Sequence, residues 1–454
     1  MGYAEYIKGF NSLVQKYIPV ESTWTPADKA VYGNSDPYRV PQAEADSIRL
    51  DAIRYQFRRH YEQNRTYHQF CKDAGITPAD INVLADLDRI PLIPSEFFKE
   101  SPPGREFASW LANIYTGEIP AVKITGREPS RDEVVNAFNK AGMVVTYSSG
   151  TGGRHTFTPR DQRSFNTCEY AMAKGVVSMF YPHWNPQIRS YLLLPNPFKT
   201  SLYAGKLATV FYDITEEVDC AIDREIDTEL IRHTMGDDKS LKGKIVKTVA
   251  ARGERKAVSD MIAFIERKHK AKEQIGFVGS PYLLHSVISK LKEEGKSFDF
   301  EDRGVVLTGG GWKVHENERI SEESFRKELD EILGLGPNNV IDLYGMVEGN
   351  AWLTQCTEGH HLHIPSCYLH PMVLDDDFRP VGYGEVGRFA FLDASIYSYP
   401  AFIITGDRVK MLEQCPVCGR PGPVLEPGIT RATGQGSRGC GEEVRKVISM
   451  DMGG

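Results

Sequence analysis

The stretch VVTYSSGTGGRH, residues 144–155, joins an apolar β-strand pattern to a turn rich in glycine and hydroxyl side chains. Glycine adopts positive φ readily and lets backbone N–H groups approach an anion, while serine and threonine add small donors. Arg154 follows as a cation, with His155 beside it. No Gly-Lys-Ser/Thr stands at the Walker A spacing, so an ordinary P-loop NTPase is excluded. The turn is therefore either a phosphate site or a plain surface turn without a ligand.

The composition is that of a globular protein with a large core. The chain has 454 residues, of which 41% are hydrophobic and 25% charged, and a net charge of -7. This charge disfavours nucleic acid and anionic membranes as partners. No apolar run reaches the length of a membrane span, and the N-terminus lacks a signal peptide, so we expect a cytoplasmic protein. Eight cysteines, clustered towards the C-terminus, favour metal or thiol chemistry over a disulfide framework.

The hydrophobic pattern changes near residue 143. Before it, apolar residues recur at helical spacing, whereas short β-branched or leucine-rich runs alternate with helices after it. The predicted strands are 143–147, 190–194, 275–278, 305–308 and 340–344. This alternation predicts an α/β fold with a mostly parallel sheet covered on both faces. Ligands bind beyond the C-terminal strand ends of such sheets, and three of these strands end in polar or glycine-rich turns.

Three motifs follow or end strands in ways that suit a nucleotide. The glycines at 309–311 would let a flat ring lie against the backbone, or would form a tight turn into a helix. Tyr344 could stack on a base and Glu348 could hold magnesium, with a core-edge tyrosine and a solvated glutamate as the alternative. Asp407, at the end of the apolar strand that begins at Phe402, could accept both hydroxyls of a ribose.

A metal-binding pattern lies further along the chain. Cys415 and Cys418 belong to a CPVC knuckle, and Cys356 and the HHLH cluster at 360–363 precede it. Together they offer four ligands for tetrahedral zinc. A redox-active CxxC pair is the alternative, although no thioredoxin-like helix start follows the knuckle.

SSGTGG from Ser148, LYGMVE from Leu343 and ITGDRV from Ile404, in this order, resemble motifs of the acyl-adenylate-forming superfamily, which activates carboxylic acids with ATP. The resemblance spans residues 144–410. Within the superfamily the chain is similar to the phenylacetate-CoA ligase branch, and above all to the acyl-protein synthetases of bacterial bioluminescence. Further similar segments are IPLIPSEFFK at 90–99, GGGWK at 309–313 and RGC at 438–440.

The resemblance implies that ATP and magnesium bind at these motifs. Gly309–Gly311 and Tyr344 would hold adenine, Asp407 the ribose, and Glu348 the magnesium ion. The implied ATP-binding residues are Ser148, Ser149, Gly150, Thr151, Gly153, Arg154, Gly309, Gly310, Gly311, Tyr344, Asp407 and Arg408. The chain departs from the commoner pattern at Gly152, where a second threonine usually stands, and at Arg154-His155, where a lysine is frequent.

The C-terminus departs more strongly from the superfamily. The usual mobile C-terminal domain supplies a catalytic lysine, but only fourteen residues follow Cys440. We therefore expect a truncated C-terminal domain and another cation, with Lys313, Arg154 and Arg408 as candidates. Lys313 is otherwise a surface lysine. In the acyl-protein synthetases a cysteine near the C-terminus accepts the acyl group, which implies Cys440, with an unused thiol as the alternative.

The related ligases also show a similar cysteine and histidine pattern. It favours Cys356, His363, Cys415 and Cys418 as a structural zinc site. The substitutes are His360, His361 and Cys367.

The expected architecture is an α/β fold with a large adenylate-forming body, a helical N-terminus and mostly parallel sheets. Residues 1–140 form its helical part and 141–350 its α/β core. A small β-rich, zinc-containing lobe spans 351–430, and a short tail spans 431–454.

The expected function is ATP-dependent activation of a carboxylic acid, followed by transfer to the enzyme's own cysteine or to an acyl-accepting protein such as a reductase or carrier. The alternatives are an acyl-CoA or aryl-CoA ligase that uses coenzyme A, and a non-catalytic adenylate-binding scaffold.

Overall fold

Helices dominate the first 140 residues, as the sequence predicts. The computed structural model describes residues 2–150, 154–226, 228 and 241–431, with side chains except at 241–251, 313 and 314. The α-helices of these residues, α1 to α12 in chain order, are Tyr3–Leu13, Pro26–Tyr32, Gln42–Gln63, Arg65–Asp73, Gly104–Ile114, Arg131–Lys140, Gln162–Met179, Tyr203–Leu207, Phe211–Ile214, Leu241–Ala271, Pro281–Glu293 and Glu322–Leu333. None of them is long and apolar enough to cross a membrane.

The five strands predicted from the sequence are all present, within one residue at each end, and further strands lie before, between and after them. The strands of the described residues, β1 to β15, are Ile93–Pro94, Met143–Tyr147, Phe157–Asp161, Arg189–Pro195, Glu217–Ile222, Ile275–Gly279, Gly304–Gly309, Val340–Tyr344, Leu353–Gln355, Leu362–His363, Leu369–Leu374, Val386–Asp393, Phe402–Leu412, Val424–Leu425 and Thr430–Arg431.

The large sheet is mixed. The prediction of a mostly parallel sheet is correct for the five strands β4 to β8 and wrong for most of the others. Strands β5, β4, β6, β7 and β8 lie side by side and parallel. From β9 onwards the pairing along the sheet is antiparallel, through β10, β14, β13, β12 and β11. The parallel strands are separated by helices, whereas the later strands follow one another through shorter connections, and parallel pairing needs a long crossover.

Strand β2 does not join the parallel strands, contrary to the prediction. It pairs antiparallel with β3, from Met143 opposite Asp161 to Tyr147 opposite Phe157, in a separate two-stranded sheet. The connection over residues 148–156 is too short for the crossover that parallel pairing requires. Residues 148–156 therefore connect the two strands of a hairpin.

Apolar side chains cover both faces of the central strands. In β7, Val305 and Leu307 belong to the larger hydrophobic cluster, which includes the N-terminal helices and β11–β13. Val306 points to the opposite face, where it joins a second cluster with α10, α11 and α12. Strands buried on both faces read as continuous hydrophobic runs, which is why the sequence shows them clearly.

Candidate active site

The hairpin tip holds its first residues in a defined geometry. Ser148 N–H donates to Thr156 O, and Thr156 N–H donates to Ser148 Oγ, both at 3.0 Å. Gly150 has φ of 63°, and a Cβ there would lie 2.7 Å from His155 Nδ1, so only glycine fits. His155 Nδ1 also lies 2.8 Å from Ser148 O. Its imidazole therefore braces the loop from within.

The other loop residues named from the sequence are less constrained by the structure. Arg154 is exposed and Ser149 is half-buried. Thr151 and Gly153 lie outside the described residues. Their proposed contacts with phosphate remain predictions.

A cavity with polar and apolar lining lies at the ends of β7 and β8. Thr308 Oγ1 donates to Asp342 Oδ1 at 2.6 Å. Gly310 and Gly311 have φ of 77° and 64°, a region that favours glycine. Thr308, Gly311, Trp312 and Asp342 are among the residues that line this cavity. The glycine turn therefore borders a cavity with a carboxylate in its wall.

Asp342 was not singled out in the sequence. Burial raises the pKa of its carboxyl to about 6, against an opposing hydrogen bond from Thr308. It stands two residues before Tyr344 on the same face of β8, because side chains alternate along a strand. This alternation is the signal by which Asp342 could have been found.

Tyr344 and Asp407 meet across the site. The Tyr344 hydroxyl donates to Asp407 Oδ2 at 2.8 Å, and Arg431 Nε lies 3.1 Å from Asp407 Oδ1. Asp407 lies within β13 rather than at its end, so this detail of the prediction is wrong. The strand continues because Asp407 and Arg408 pair with β15 through Arg431 and Thr430. Burial and the charge of Asp407 raise the pKa of Tyr344 well above its usual range, so the phenol remains a donor.

Glu348 lies in the turn after β8 and is 5% exposed. Burial raises the pKa of its carboxyl, Lys99 opposes this rise, and the negative charges of Asp407 and Glu96 add to it. A buried carboxylate among other carboxylates favours a cation. The site therefore offers a place for positive charge beside Glu348.

Lys99 and Glu96 come from the N-terminal region, and sequence reasoning gave neither a role. They belong to the 3-10 helix Ser95–Lys99, which follows β1. Because β1 pairs parallel with β13, this helix lies beside the Asp407 segment. A Cβ at Gly406 would lie 3.5 Å from Glu96 Oε1. Their signal was the segment at 90–99, which resembles the ligases but carries no recognisable chemistry alone.

The structure describes the predicted cations to different extents. Arg408 Nη1 pairs with Asp376 Oδ1 at 3.2 Å, on the strand face opposite Asp407. Lys313 begins the 3-10 helix Lys313–Glu318, but its side chain lies outside the described part. Cys440 also lies outside the described residues. Lys99 is a described cation whose charge acts on Glu348.

The four predicted zinc ligands come together. One ligand atom from each of Cys356, His363, Cys415 and Cys418 lies within 4.8 Å of the others. Cys356 Sγ and Cys415 Sγ are 3.9 Å apart, and Cys418 Sγ lies 3.3 Å from His363 Nε2. The pKa of the Cys418 thiol is lowered, because the Cys356 thiol donates to it and His363 lies beside it. Three sulfurs and one imidazole are a donor set typical of structural zinc.

The three alternative zinc ligands named from the sequence lie outside this four-residue cluster. His361 Nδ1 lies 3.6 Å from Cys415 Sγ, at the edge of the cluster. Cys367 accepts a hydrogen bond from Asn34 instead. His360 Nδ1 is buried without a partner among the described residues.

A family model and two curated relatives match this chain, and their names describe an acyl-protein synthetase and long-chain-fatty-acid ligases. Residues 255–449, slightly less than half of the chain, match the family model of acyl-protein synthetase, LuxE. The resemblance to acyl-protein synthetases is confirmed. The long-chain-fatty-acid–luciferin-component ligase of Vibrio harveyi is 24% identical over 438 residues, which cover 95% of this chain and 96% of that protein. The ligase of the same name from Aliivibrio fischeri is 24% identical over 414 residues, or 90% and 91% of the two chains.

Solved structures agree at the level of the fold. A 2-hydroxyisobutyryl-CoA ligase in complex with 2-HIB-AMP and CoA, in the thioesterification state, superposes with a TM-score of 0.60. It is 16% identical, and the match covers 92% of this chain and 76% of that one. An open conformation of the same ligase gives a TM-score of 0.59 at 15% identity, with the same coverage. This protein therefore shares the fold of adenylate-forming ligases.

Proposed function

We propose that this protein uses ATP to convert a carboxylic acid into an acyl-adenylate and then transfers the acyl group to a thiol. The hydrogen bond between Tyr344 and Asp407 carries the proposal, because it joins two motifs assigned to the nucleotide, with Glu348 buried nearby. The class of acid–thiol ligase is borne out by the family model and the two curated relatives.

The nucleotide would lie across the ends of β7, β8 and the middle of β13. The purine would lie between the glycines at 309–311 and the Tyr344 ring. The Asp342 carboxylate in the adjoining cavity would accept a hydrogen bond from the exocyclic amine of adenine and repel the carbonyl oxygen of guanine. Asp407 already accepts bonds from Tyr344 and Arg431, but a carboxylate has about four acceptor positions and can also take ribose hydroxyls.

The triphosphate would extend towards the hairpin tip, where Ser148, Ser149 and Gly150 precede Thr151 and Gly153. Glu348 would hold magnesium together with phosphate oxygens, since magnesium prefers few carboxylates and keeps waters. The ion would neutralise charge on the leaving pyrophosphate. Lys99 would add a fixed positive charge on the same side of the site.

The chemistry needs positioning and charge stabilisation rather than a protein nucleophile. In the first half, a carboxylate oxygen of the acid attacks the α-phosphorus, and the bond to the bridging oxygen breaks as pyrophosphate leaves. In the second half, a thiolate attacks the acyl carbon, and the bond to AMP breaks. The described residues of the site would serve the first half. Cys440 is our proposed acceptor for the second half, with onward transfer to an acyl-accepting protein.

Coenzyme A is the second candidate acceptor, because the solved ligase neighbours contain CoA with an acyl-AMP. The two acceptors give different products. Transfer to Cys440 leaves a hydroxylamine-labile adduct on the protein, which Cys440→Ser abolishes and Cys220→Ser leaves intact. Transfer to coenzyme A gives a soluble thioester in both variants.

We also propose that Cys356, His363, Cys415 and Cys418 hold a structural zinc ion. The supporting observation is the proximity of their ligand atoms. With four protein ligands the site would be closed, so zinc would stabilise the surrounding strands and take no part in the chemistry.

Carboxylate-dependent exchange of labelled pyrophosphate into ATP tests the first half-reaction. The acid panel should run from short to long fatty acids and include aromatic acids, since the curated relatives are named for long-chain fatty acids. Glu348→Gln should lower exchange about 100-fold or more, as loss of a transition-state charge stabiliser does. Glu385→Gln, at an exposed position, is the matched control. Absence of exchange with every acid would refute the proposal.

A further inference from the structure

Arg160 is a buried cation at the base of the hairpin. It lies in β3 and its side chain is fully buried, at 0% exposure. An isolated charge is costly inside a protein, so such a residue needs partners for all of its donors. Among the described residues, its hydrogen bonds go to neutral oxygens and none goes to a carboxylate.

The partners of Arg160 lie on two separate segments. On the hairpin, Nη1 donates to Thr158 Oγ1 at 2.7 Å and to Thr146 Oγ1 at 3.3 Å. On the turn after β8, Nη2 donates to Val347 O at 2.6 Å and to Gly349 O at 3.0 Å. These two carbonyls flank Glu348.

Further contacts hold the same turn. Arg160 Nε donates to Asn350 Oδ1 at 3.0 Å, and the guanidinium carbon lies 4.9 Å from the Tyr203 ring centre and 5.5 Å from that of Tyr399. The Tyr203 hydroxyl donates to Gly349 O at 3.0 Å. The guanidinium is thus enclosed by the turn, the hairpin and two aromatic faces.

We propose that Arg160 is a positioning residue that fixes the Glu348 carboxylate relative to the Ser148 loop. In this role Arg160 would act through Glu348 and would not itself contact substrate or metal. By holding the carbonyls on both sides of Glu348 and the hydroxyls of the hairpin, it sets where the two halves of the MgATP site stand. This inference deepens the proposed function and rests on it.

A double-mutant cycle on kcat/KM for MgATP in pyrophosphate exchange tests the role. Arg160→Lys keeps the charge but cannot reach both carbonyls and Asn350, so we expect a loss of about 10- to 100-fold, as for residues that orient metal ligands. In the Glu348→Gln background the same change should cost less than twofold, because its effect passes through Glu348. Arg163→Lys, a partly exposed neighbour paired with Asp28, is the matched control and should change little.

Equal losses in both backgrounds would overturn the proposal, since a merely structural role acts independently of Glu348. If Arg160→Lys does not fold, Thr158→Val replaces it in the same cycle, because it removes the nearest acceptor of Nη1 without altering the buried charge. Thr158→Val should lower kcat/KM by a smaller factor than Arg160→Lys, and this loss should disappear in the Glu348→Gln background. An additive loss would overturn the proposal. The wild type is assayed first: no exchange with any acid refutes the proposed function, whereas additivity in an active wild type refutes only the role of Arg160.

Discussion

Asp342→Asn should stabilise the protein at neutral pH while weakening ATP binding. The pKa of Asp342 is raised from its ordinary value of 3.8 to about 6. An acid with a raised pKa in the folded state destabilises it at high pH, because folding must remove a charged carboxylate from water. The cost is absent below pH 3.8, grows up to pH 6 and is complete above it.

The shift corresponds to about 3 kcal/mol, at about 1.4 kcal/mol for each pH unit. The Asp342 residue is only partly buried, so we expect about 2 kcal/mol for the substitution. Asparagine keeps an oxygen that accepts from Thr308 and removes the charge. The same change loses the charged acceptor for the adenine amine and should raise the KM for ATP about tenfold.

Urea unfolding followed by intrinsic fluorescence between pH 4.5 and 8 measures the first effect. The gain in unfolding free energy should increase with pH up to about pH 6 and then level off. Asp330→Asn, an exposed aspartate on α12, is the control and should show no such rise. A gain that does not vary with pH, or a loss of stability at pH 7, would refute the argument from burial.

Three further predictions concern the site and the cysteine cluster. Tyr344→Phe removes a donor to Asp407 and should raise the KM for ATP about tenfold with little change in kcat, measured by pyrophosphate exchange. Because the pKa of Glu348 is raised, exchange should fall on acidification at a pH above 4.5, and excess magnesium should lower that midpoint; a midpoint insensitive to magnesium would contradict the assignment. Cys418→Ser should abolish stoichiometric zinc in metal analysis and lower the urea midpoint, whereas His361→Ala should retain the metal.

The central strands were predictable because their pattern is local. Residues 275–279 and 340–344 are buried on both faces, or nearly so, and form short apolar runs bounded by turns. The pairing of β2 was not predictable from its own residues, since an apolar strand reads the same in a parallel sheet or a hairpin. Its partner β3 contains Pro159 and Arg160, so the sequence of β3 does not show the apolar pattern of a buried strand.

The residues of the site also divide into those that local sequence motifs show and those that they do not. Tyr344, Glu348 and Asp407 belong to motifs that the sequence shows, and the structure brings them together. Arg431 and Lys99 reach the site only through β15 and β1, which pair with β13 over long separations. No motif with recognisable chemistry marks either residue, although Lys99 ends the segment 90–99 that is similar to the ligases.

Arg160 shows why such residues escape sequence reasoning. A charged residue in a strand is expected to face solvent, because burying an unpaired charge costs several kcal/mol. What offsets this cost is a set of five acceptors, two on the hairpin and three on a turn nearly 190 residues further along the chain. Neither segment satisfies the guanidinium alone, so its burial requires the hairpin and the Glu348 turn to be in place together. Arg160, which the sequence does not place at the site, is therefore a residue whose hydrogen bonds join the hairpin to the Glu348 turn.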